Sequence, residues 1–143
     1  MQQVQFRSAD RSLVFPGKTA LKQFIGELFK KEKKALESIT YVFCSDKYLL
    51  KINQDFLQHD YYTDIISFEL SEKGMPAEAE IYISIDRVKE NAKMMGVSFK
   101  QEVLRVIFHG ALHICGYKDK TRLEQQTMRL KEDVYLALFT KQV

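Results

Sequence analysis

The sequence is poor in cysteine and lacks long apolar runs, and both features limit the class of protein. Only 2 of its 143 residues are cysteine, Cys44 and Cys115, and both lie among apolar residues. Buried thiols in a reducing compartment fit this arrangement better than a disulfide framework, so we expect a cytoplasmic protein. No apolar stretch approaches the roughly 20 residues that cross a bilayer, and the start, MQQVQFRSADR, lacks the pattern of a secretory signal.

Composition and length instead predict a globular protein. Hydrophobic residues make up 45% of the chain and charged residues 29%, and we find no repeat, low-complexity tract or linker. A chain of this length buries a sizeable core without disulfide bonds, and we expect one domain covering residues 1–143. The net charge of +3 permits nucleic acid as a partner without arguing for it, because a solvated lysine-rich surface gives the same value.

Hydrophobic periodicity predicts an α+β fold, in which helices pack on a small mixed four-stranded sheet. Strands are expected at 4–7, 38–44, 64–70 and 80–85. Helices are expected from Gly17 to near Ala35, from an N-cap at Ser45 through Phe56, from an N-cap at Asp86 to Gly96, from an N-cap at Ser98 through EVLRVIFHGALHIC, and from Thr121 to Phe139. The strongly apolar fourth helix is placed at the centre, and the pattern leaves the strand order open.

Two of the chain's 3 histidines lie in the stretch HGALHICGYKD, residues 109–119. His109 and His113 are four residues apart, so on a helix their imidazoles share one face and can reach one metal ion. Gly116 can end that helix in the left-handed conformation and bring Asp119 back as a third ligand. Two nitrogens and one carboxylate oxygen leave a fourth position for water, which is typical of catalytic zinc. We therefore predict one Zn²⁺ bound by these three residues.

The histidine pair also has a structural interpretation, as core side chains bonded to backbone carbonyls. A metal is favoured because neutral imidazoles beside Ile107, Phe108 and Leu112 would otherwise need several buried polar partners. Metallopeptidases carry a glutamate base directly after the first histidine, where this chain has Gly110. A metal hydrolase thus fits better than a standard peptidase. A helical glycine costs about 1 kcal/mol, so we expect backbone or substrate to approach closely at Gly110.

The eleven-residue stretch resembles the signature of the YbeY family, metal-dependent endoribonucleases of ribosomal RNA maturation and ribosome quality control. That signature, His-Gly-x-Leu-His-x-x-Gly-x-x-His, is matched except for its last histidine, where Asp119 stands; the matches are His109, Gly110, Leu112, His113 and Gly116. Residues 52–70 also resemble the family's segment of an asparagine, a loop and Thr-Asp-Val-Leu-Ser-Phe. The residues that match there are Asn53, Asp60, Thr63, Asp64, Ser67 and Phe68.

The resemblance implies a zinc-dependent enzyme that hydrolyses phosphodiester bonds in single-stranded RNA. Its implied partners are ribosomal RNA and the ribosome or ribosomal proteins, with no organic cofactor and no membrane. The family's loop arginine, assigned to the RNA phosphate, is replaced by Leu57, its lysine by His59 and its proline by Tyr62. We therefore expect the catalytic contribution at the phosphate from His59, Arg105 or Arg122. His59 is either a general acid or a surface loop residue.

Other polar and aromatic residues have two interpretations that the sequence leaves open. The lysine-rich segment 30–34 is either a solvated helix face or an RNA contact. Tyr61 and Tyr62 either stack on bases or pack beside the following strand. Asp64 and Ser67 either orient a metal-bound histidine or bond to neighbouring backbone, and the structural role is favoured.

Two alternative functions fit part of the pattern. Another metal hydrolase, such as a peptidase, shares the chemistry but lacks a base at Gly110. A non-catalytic RNA-binding or ribosome-associated factor would use the metal only to hold the last helix in place. These alternatives differ in whether RNA is cut and in whether loss of the metal unfolds the protein.

Overall fold

The computed structural model describes residues 3–59 and 62–141 of the chain. Within these residues, no helix has both the length and the apolar character that crossing a membrane requires. The described residues form, in chain order, β1 (Val4–Ser8), α1 (Lys18–Lys31), β2 (Leu36–Cys44), α2 (Asp46–Leu57), β3 (Ile65–Glu69), β4 (Ala77–Ser84), α3 (Ile85–Met95), α4 (Phe99–Ile114) and α5 (Arg122–Lys141). The predicted α+β class is confirmed.

The strands form one mixed four-stranded sheet in the order β1-β2-β4-β3. β1 and β2 run parallel, as do β2 and β4, whereas β3 is antiparallel to β4. The two central strands carry the apolar segments ITYVFC and EIYISI, which suit strands covered on both faces. At the start of β3, Ser84 N donates to the Asp64 carbonyl at 2.9 Å. Asp64 therefore lies beside the junction of β4 and α3.

Helix α4 lies at the centre of the protein, as predicted, and 10 of its residues are buried. Tyr41 Oη of β2 donates to the Ile107 carbonyl at 2.9 Å. A Cβ added at Gly110 would lie 2.9 Å from Ile81 Cδ1 and 3.0 Å from Ile65 Cδ1. The close approach expected at Gly110 is thus made by sheet side chains rather than by backbone or substrate. The missing Cβ lets α4 pack directly on β3 and β4.

Serine hydroxyls cap two of the helices as the sequence predicts. Ser45 Oγ accepts from Tyr48 N at 3.1 Å at the start of α2, and Ser98 Oγ accepts from Gln101 N at 3.0 Å at the start of α4. Each hydroxyl satisfies one of the N–H groups that the first helical turn leaves without a partner. The start of the histidine-bearing helix is therefore set by a local interaction.

The predicted N-cap of α3 is wrong. The helix begins directly after β4, and its cap is Ser84, whose Oγ accepts from Arg87 N at 3.1 Å. Asp86 lies in the first turn and accepts from Asp46 N at 3.0 Å instead. Because β4 passes into α3 without a loop, the cap falls on the last strand residue. The predicted end of this helix at Gly96, with φ of 68°, is confirmed.

Helix α1 ends several residues before the predicted position near Ala35. Lys33 adopts the left-handed conformation, with φ of 59°. Its N–H donates to the Lys30 carbonyl at 3.0 Å, and Lys34 N donates to the Phe29 carbonyl at 3.0 Å. This is a Schellman ending with lysine in the place where glycine is usual. The backbone at Lys33 is therefore strained, since a side chain disfavours this region.

Replacing Lys33 with glycine should relieve that strain. We expect Lys33→Gly to raise the free energy of unfolding by about 0.5–1 kcal/mol, measured by urea denaturation. Gly96→Ala, at a position with φ of 68°, is the matched control and should lower stability by a similar amount. A destabilised Lys33→Gly protein would show that the lysine side chain itself supports the fold.

Candidate metal centre

A cleft of about 410 Å³ lies along α4 between Glu102 and His109. Four parts of the chain line it: the segment leading into β3, helix α4, the loop between α4 and α5, and helix α5. Its polar lining consists of Thr63, Asp64, Glu102, Arg105, His109, Asp119, Gln125, Arg129 and Glu132. The fold thus brings two of the three predicted metal ligands, His109 and Asp119, to one cleft.

The ring of His109 is held from both sides. Its Nδ1 lies 2.6 Å from Glu132 Oε2, and its Nε2 lies 3.2 Å from Asp119 Oδ2. A carboxylate accepts hydrogen bonds, so the short Glu132 contact places a proton on Nδ1, while Nε2 faces the Asp119 carboxylate. The nitrogen and the oxygen that would bind a metal therefore already face each other.

His113 lies one turn further along α4 and is exposed. Its Nδ1 is 3.1 Å from the backbone carbonyl of Tyr117. A carbonyl oxygen only accepts, so this hydrogen bond also puts the proton on Nδ1 and leaves Nε2 for a ligand. His113 is not among the residues that line the cleft.

The loop that carries Asp119 turns back as predicted. Gly116, with φ of 112°, donates to the His113 carbonyl at 3.0 Å, and Tyr117 N donates to the Leu112 carbonyl at 3.1 Å. These two hydrogen bonds form a Schellman motif that ends α4. On the other side of the turn, Gln125 Nε2 donates to the Asp119 carbonyl at 3.1 Å. The loop is therefore tied to both helices.

The donor set fits a metal in chemistry, although the described side chains do not form a finished site. No three histidine, cysteine, aspartate or glutamate side chains in residues 3–59 and 62–141 are grouped closely enough to hold an ion as they stand. Both imidazoles nevertheless have Nδ1 against an oxygen acceptor, which is the usual outer-shell arrangement of metal-binding histidines, and His109 directs its Nε2 at the Asp119 carboxylate. The ligand set His109, His113 and Asp119 stays a prediction.

Glu132 connects His109 in the cleft to the ion pairs that Arg105 forms. The side chain is 7% exposed, and its Oε1 accepts from Arg105 Nη1 at 2.9 Å. Arg105 Nη2 also donates to Asp133 Oδ1 at 2.8 Å. Burial alone would lower the pKa of His109, but the Glu132 hydrogen bond and the carboxylates of Glu132, Asp119 and Asp64 outweigh it and raise that pKa. The cleft is therefore strongly acidic around the imidazole.

Of the three residues predicted to act at the phosphate, Arg105 lines the cleft, whereas Arg122 and His59 lie outside it. Arg105 lines the cleft, but its guanidinium is engaged by two carboxylates. Arg122 is exposed and lines an adjoining groove that shares Gln125 and Arg129 with the cleft. His59 is exposed just after α2 and does not line the cleft.

Among the described residues that the sequence left with two interpretations, Asp64 lines the cleft, whereas Tyr62 and Ser67 do not. Tyr62 is exposed, with the Arg87 guanidinium 5.3 Å from its ring centre, whereas Tyr61, like Asp60, lies outside the described residues. The Asp64 carboxyl lines the cleft, and burial raises its pKa despite the opposing charge of His109. Ser67 is half-buried within β3 and does not line the cleft.

Sequence reasoning missed Glu102, Arg129 and Glu132. Glu132 lies on the buried stripe of α5 with Met128, Tyr135 and Phe139. A glutamate in an apolar stripe needs a partner, and that pattern was a readable signal. Glu102 is 4% exposed, and its Oε1 has no hydrogen-bond partner among the described residues. Burial, followed by the nearby Asp64 carboxylate, raises the pKa of Glu102.

The fold and the cleft together define the class. This is an α+β protein whose central helix places His109 in a cleft lined with carboxylates and guanidinium groups, residue types that hydrolases use as acids, bases and ligands. Residues 4–140 match the family described as endoribonuclease YbeY. The chain therefore belongs to the YbeY family.

Individual relatives agree with this family. Endoribonuclease YbeY of Cytophaga hutchinsonii is 51% identical over 118 residues, which are 82% of each chain. Endoribonuclease YbeY of Porphyromonas gingivalis is 37% identical over 143 residues, which are 100% of this chain and 94% of the relative. The solution structure of Thermotoga maritima TM1509 has a TM-score of 0.63 at 24% identity, covers 97% of this chain and 90% of that one, and supports the fold.

Arg105 and Arg122 should differ sharply in their effect on stability. Arg105 is 14% exposed and compensates the buried Glu132, so we expect Arg105→Ala to lower the free energy of unfolding by about 3 kcal/mol. Arg122 is exposed, and Arg122→Ala should change stability by less than about 0.5 kcal/mol. Urea denaturation of both variants measures this. Equal stability of the two would mean that Arg105 does not support Glu132.

Proposed function

We propose that this member of the YbeY family is a zinc-dependent endoribonuclease that hydrolyses phosphodiester bonds in single-stranded RNA. The observation that carries the zinc proposal is the pair of imidazoles whose Nδ1 atoms both contact oxygen acceptors, with the Asp119 carboxylate facing Nε2 of His109. Endoribonuclease activity follows from the family. The proposed setting is the cytoplasm, in ribosomal RNA maturation and ribosome quality control, with ribosomal RNA and the ribosome or its proteins as partners.

His109, His113 and Asp119 would hold the zinc ion. The chemistry that a bound zinc supplies is a water molecule with a pKa of about 7 and polarisation of a phosphoryl oxygen. Glu132 keeps the His109 ring in place by accepting from its Nδ1, and Arg105 neutralises Glu132. We place these residues at the imidazole, because both Glu132 oxygens and the Nη1 and Nη2 atoms of Arg105 are already paired within the fold; the role of Arg105 at the phosphate stays a prediction.

Arg129 is the cation in the cleft best placed to contact a phosphate. Its side chain is 53% exposed, and its only salt bridge in the described part of the chain is a long one, 3.8 Å from Nη1 to Glu132 Oε1. Arg129 would therefore supply the positive charge for which the resemblance implies an arginine at the position of Leu57. Arg122, from the adjoining groove, and His59, from the segment after α2, are the further proposed contributors at the phosphate.

A group of lysines extends this positive charge beyond the cleft. Tyr117 Oη donates to Glu32 Oε1 at 2.7 Å, and this hydrogen bond joins the end of α1 to the loop after α4. The exposed or half-buried side chains that flank the two residues are Lys33, Lys34, Lys118 and Lys120. None of the four forms a salt bridge with another described residue. This lysine group is available to phosphates of a bound strand.

The metal and the activity can be tested together. We expect purified protein to contain one zinc ion per chain by elemental analysis and to cut single-stranded RNA but not casein. His113→Ala and Asp119→Ala should lose both zinc and RNA cleavage, whereas Asp55→Ala, at an exposed acidic residue of α2, should lose neither. Thermal unfolding of the metal-free variants should match the wild type because both ligand side chains are solvent-accessible.

Two outcomes would favour the alternative functions, and a third would exclude the metal. Cleavage of casein and not RNA would indicate a peptidase. A His113→Ala protein that unfolds, together with wild-type protein that never cuts RNA, would indicate a non-catalytic factor in which the metal only holds α5. Full activity of a zinc-free wild type would remove the metal from the mechanism.

The lysine group should be visible in the salt dependence of RNA binding. With metal-free protein and a labelled single-stranded RNA, each lost phosphate contact reduces the slope of log affinity against log salt by about 0.7. We expect Lys118→Ala/Lys120→Ala and Lys33→Ala/Lys34→Ala each to reduce the slope. The control Lys47→Ala/Lys73→Ala removes the same charge from other parts of the surface. An equal loss of slope in the control would mean that only total charge matters.

A further inference from the structure

Glu32, the residue after α1, is joined to the loop that carries Asp119. Its carboxylate accepts hydrogen bonds from Tyr117 Oη at 2.7 Å, from Lys131 Nζ at 3.3 Å and from Tyr135 Oη. Its side chain is 10% exposed. Burial alone would raise the pKa of Glu32, but the hydrogen bonds from Tyr135, Tyr117 and Lys131 outweigh it and lower that pKa. Glu32 is therefore a largely buried carboxylate that accepts hydrogen bonds from three donors.

Tyr117 links this carboxylate to a predicted metal ligand. Its hydroxyl is bound by Glu32, whereas its backbone carbonyl accepts from His113 Nδ1 at 3.1 Å. Its N–H donates to the Leu112 carbonyl at 3.1 Å. Tyr117 is thus held at its side chain and at its amide, and it holds the His113 ring through its carbonyl. No other hydrogen bond to that ring is present in the described part of the chain.

We propose that Glu32 is a positioning residue of the metal centre, which acts through Tyr117 to fix the His113 ring and the loop bearing Asp119. The proposal rests on the proposed function, because it takes His113 as a metal ligand. The two imidazoles are then oriented by two different carboxylates. Glu132 holds His109 directly, and Glu32 holds His113 through one tyrosine. Outer-shell contacts of this kind set the tautomer and the angle of a ligating ring.

The alternative role for Glu32 is only to join α1 to α5. Tyr135, the second tyrosine that donates to Glu32, allows an experiment that distinguishes this role from the positioning role. Tyr135 lies on α5, and its hydroxyl also donates to Glu32 but has no hydrogen bond to the loop or to His113 among the described residues. Tyr117→Phe and Tyr135→Phe each remove one hydroxyl from the same carboxylate and keep the ring. Thermal unfolding of the metal-free variants shows whether their losses of stability are similar.

The first readout is zinc affinity, measured by competition with a chelating indicator on folded protein. We expect Tyr117→Phe and Glu32→Gln to weaken zinc binding about 10-fold. Loss of an outer-shell partner lowers metal affinity by roughly 10–100-fold. Tyr135→Phe should bind zinc like the wild type. Equal weakening in the two tyrosine variants, or wild-type affinity in Tyr117→Phe, would overturn the positioning role.

The second readout needs no metal. In metal-free wild type, ¹⁵N chemical shifts of the His113 ring should show the proton on Nδ1, because that atom donates to a carbonyl. The preference should be lost in Tyr117→Phe and Glu32→Gln and kept in Tyr135→Phe. If this pattern holds but the wild type binds no zinc, the positioning contact stands and the metal in the proposed function fails. If zinc binds and the ring nitrogens do not respond, the positioning role is wrong.

Discussion

The hydrogen bond between His109 and Glu132 joins α4 to α5, and the rest of the candidate site depends on it. Glu132 lies on the buried side of α5, where an ionised carboxylate is costly unless charge and hydrogen bonds compensate it. His109 supplies one partner and Arg105 the other. The same bond that makes the buried charge tolerable also sets which imidazole nitrogen faces the cleft. Stability and ligand orientation therefore rest on one contact.

The central helix of the site is held by the sheet, and the loop after it is tied to the neighbouring helices. α4 is capped by Ser98, packed on the sheet at Gly110 and bonded to Tyr41, so the spacing of its two histidines is fixed. Asp119 is on a seven-residue connection whose geometry depends on Gly116, Gln125 and Tyr117. The three candidate ligands are therefore each positioned by contacts within the fold.

This chain departs from the pattern that the family resemblance implies in both the proposed metal ligand and the proposed cation. An aspartate in place of the third histidine adds a negative charge beside His109, in a cleft that already contains Asp64, Glu102 and Glu132. The loop arginine is replaced by Leu57, and the positive charge near the cleft comes instead from Arg129 on α5. In the proposed enzyme, α5 thus supplies both the carboxylate that orients a ligand and the cation that contacts the phosphate.

Much of the fold and part of the site could be read from the sequence, because those features follow from local geometry. Serine caps, the left-handed glycine at 116, the helical spacing of His109 and His113, and the apolar character of the central helix depend on residues a few positions apart. The error at Asp86 was also local in origin: the predicted strand 80–85 already led directly into the helix, but Ser84 and not Asp86 supplies the cap.

Only the tertiary structure decided the strand order and the partners of the charged groups. β4 lies between β2 and β3, and Glu132, Arg105 and Glu32 find their partners across 23, 27 and 85 residues respectively. Such pairings depend on how helices pack on the sheet, and composition and periodicity do not encode that packing. The sequence determined which side chains could bind a metal, and the packing of α1 and α5 against α4 decided which way those side chains point.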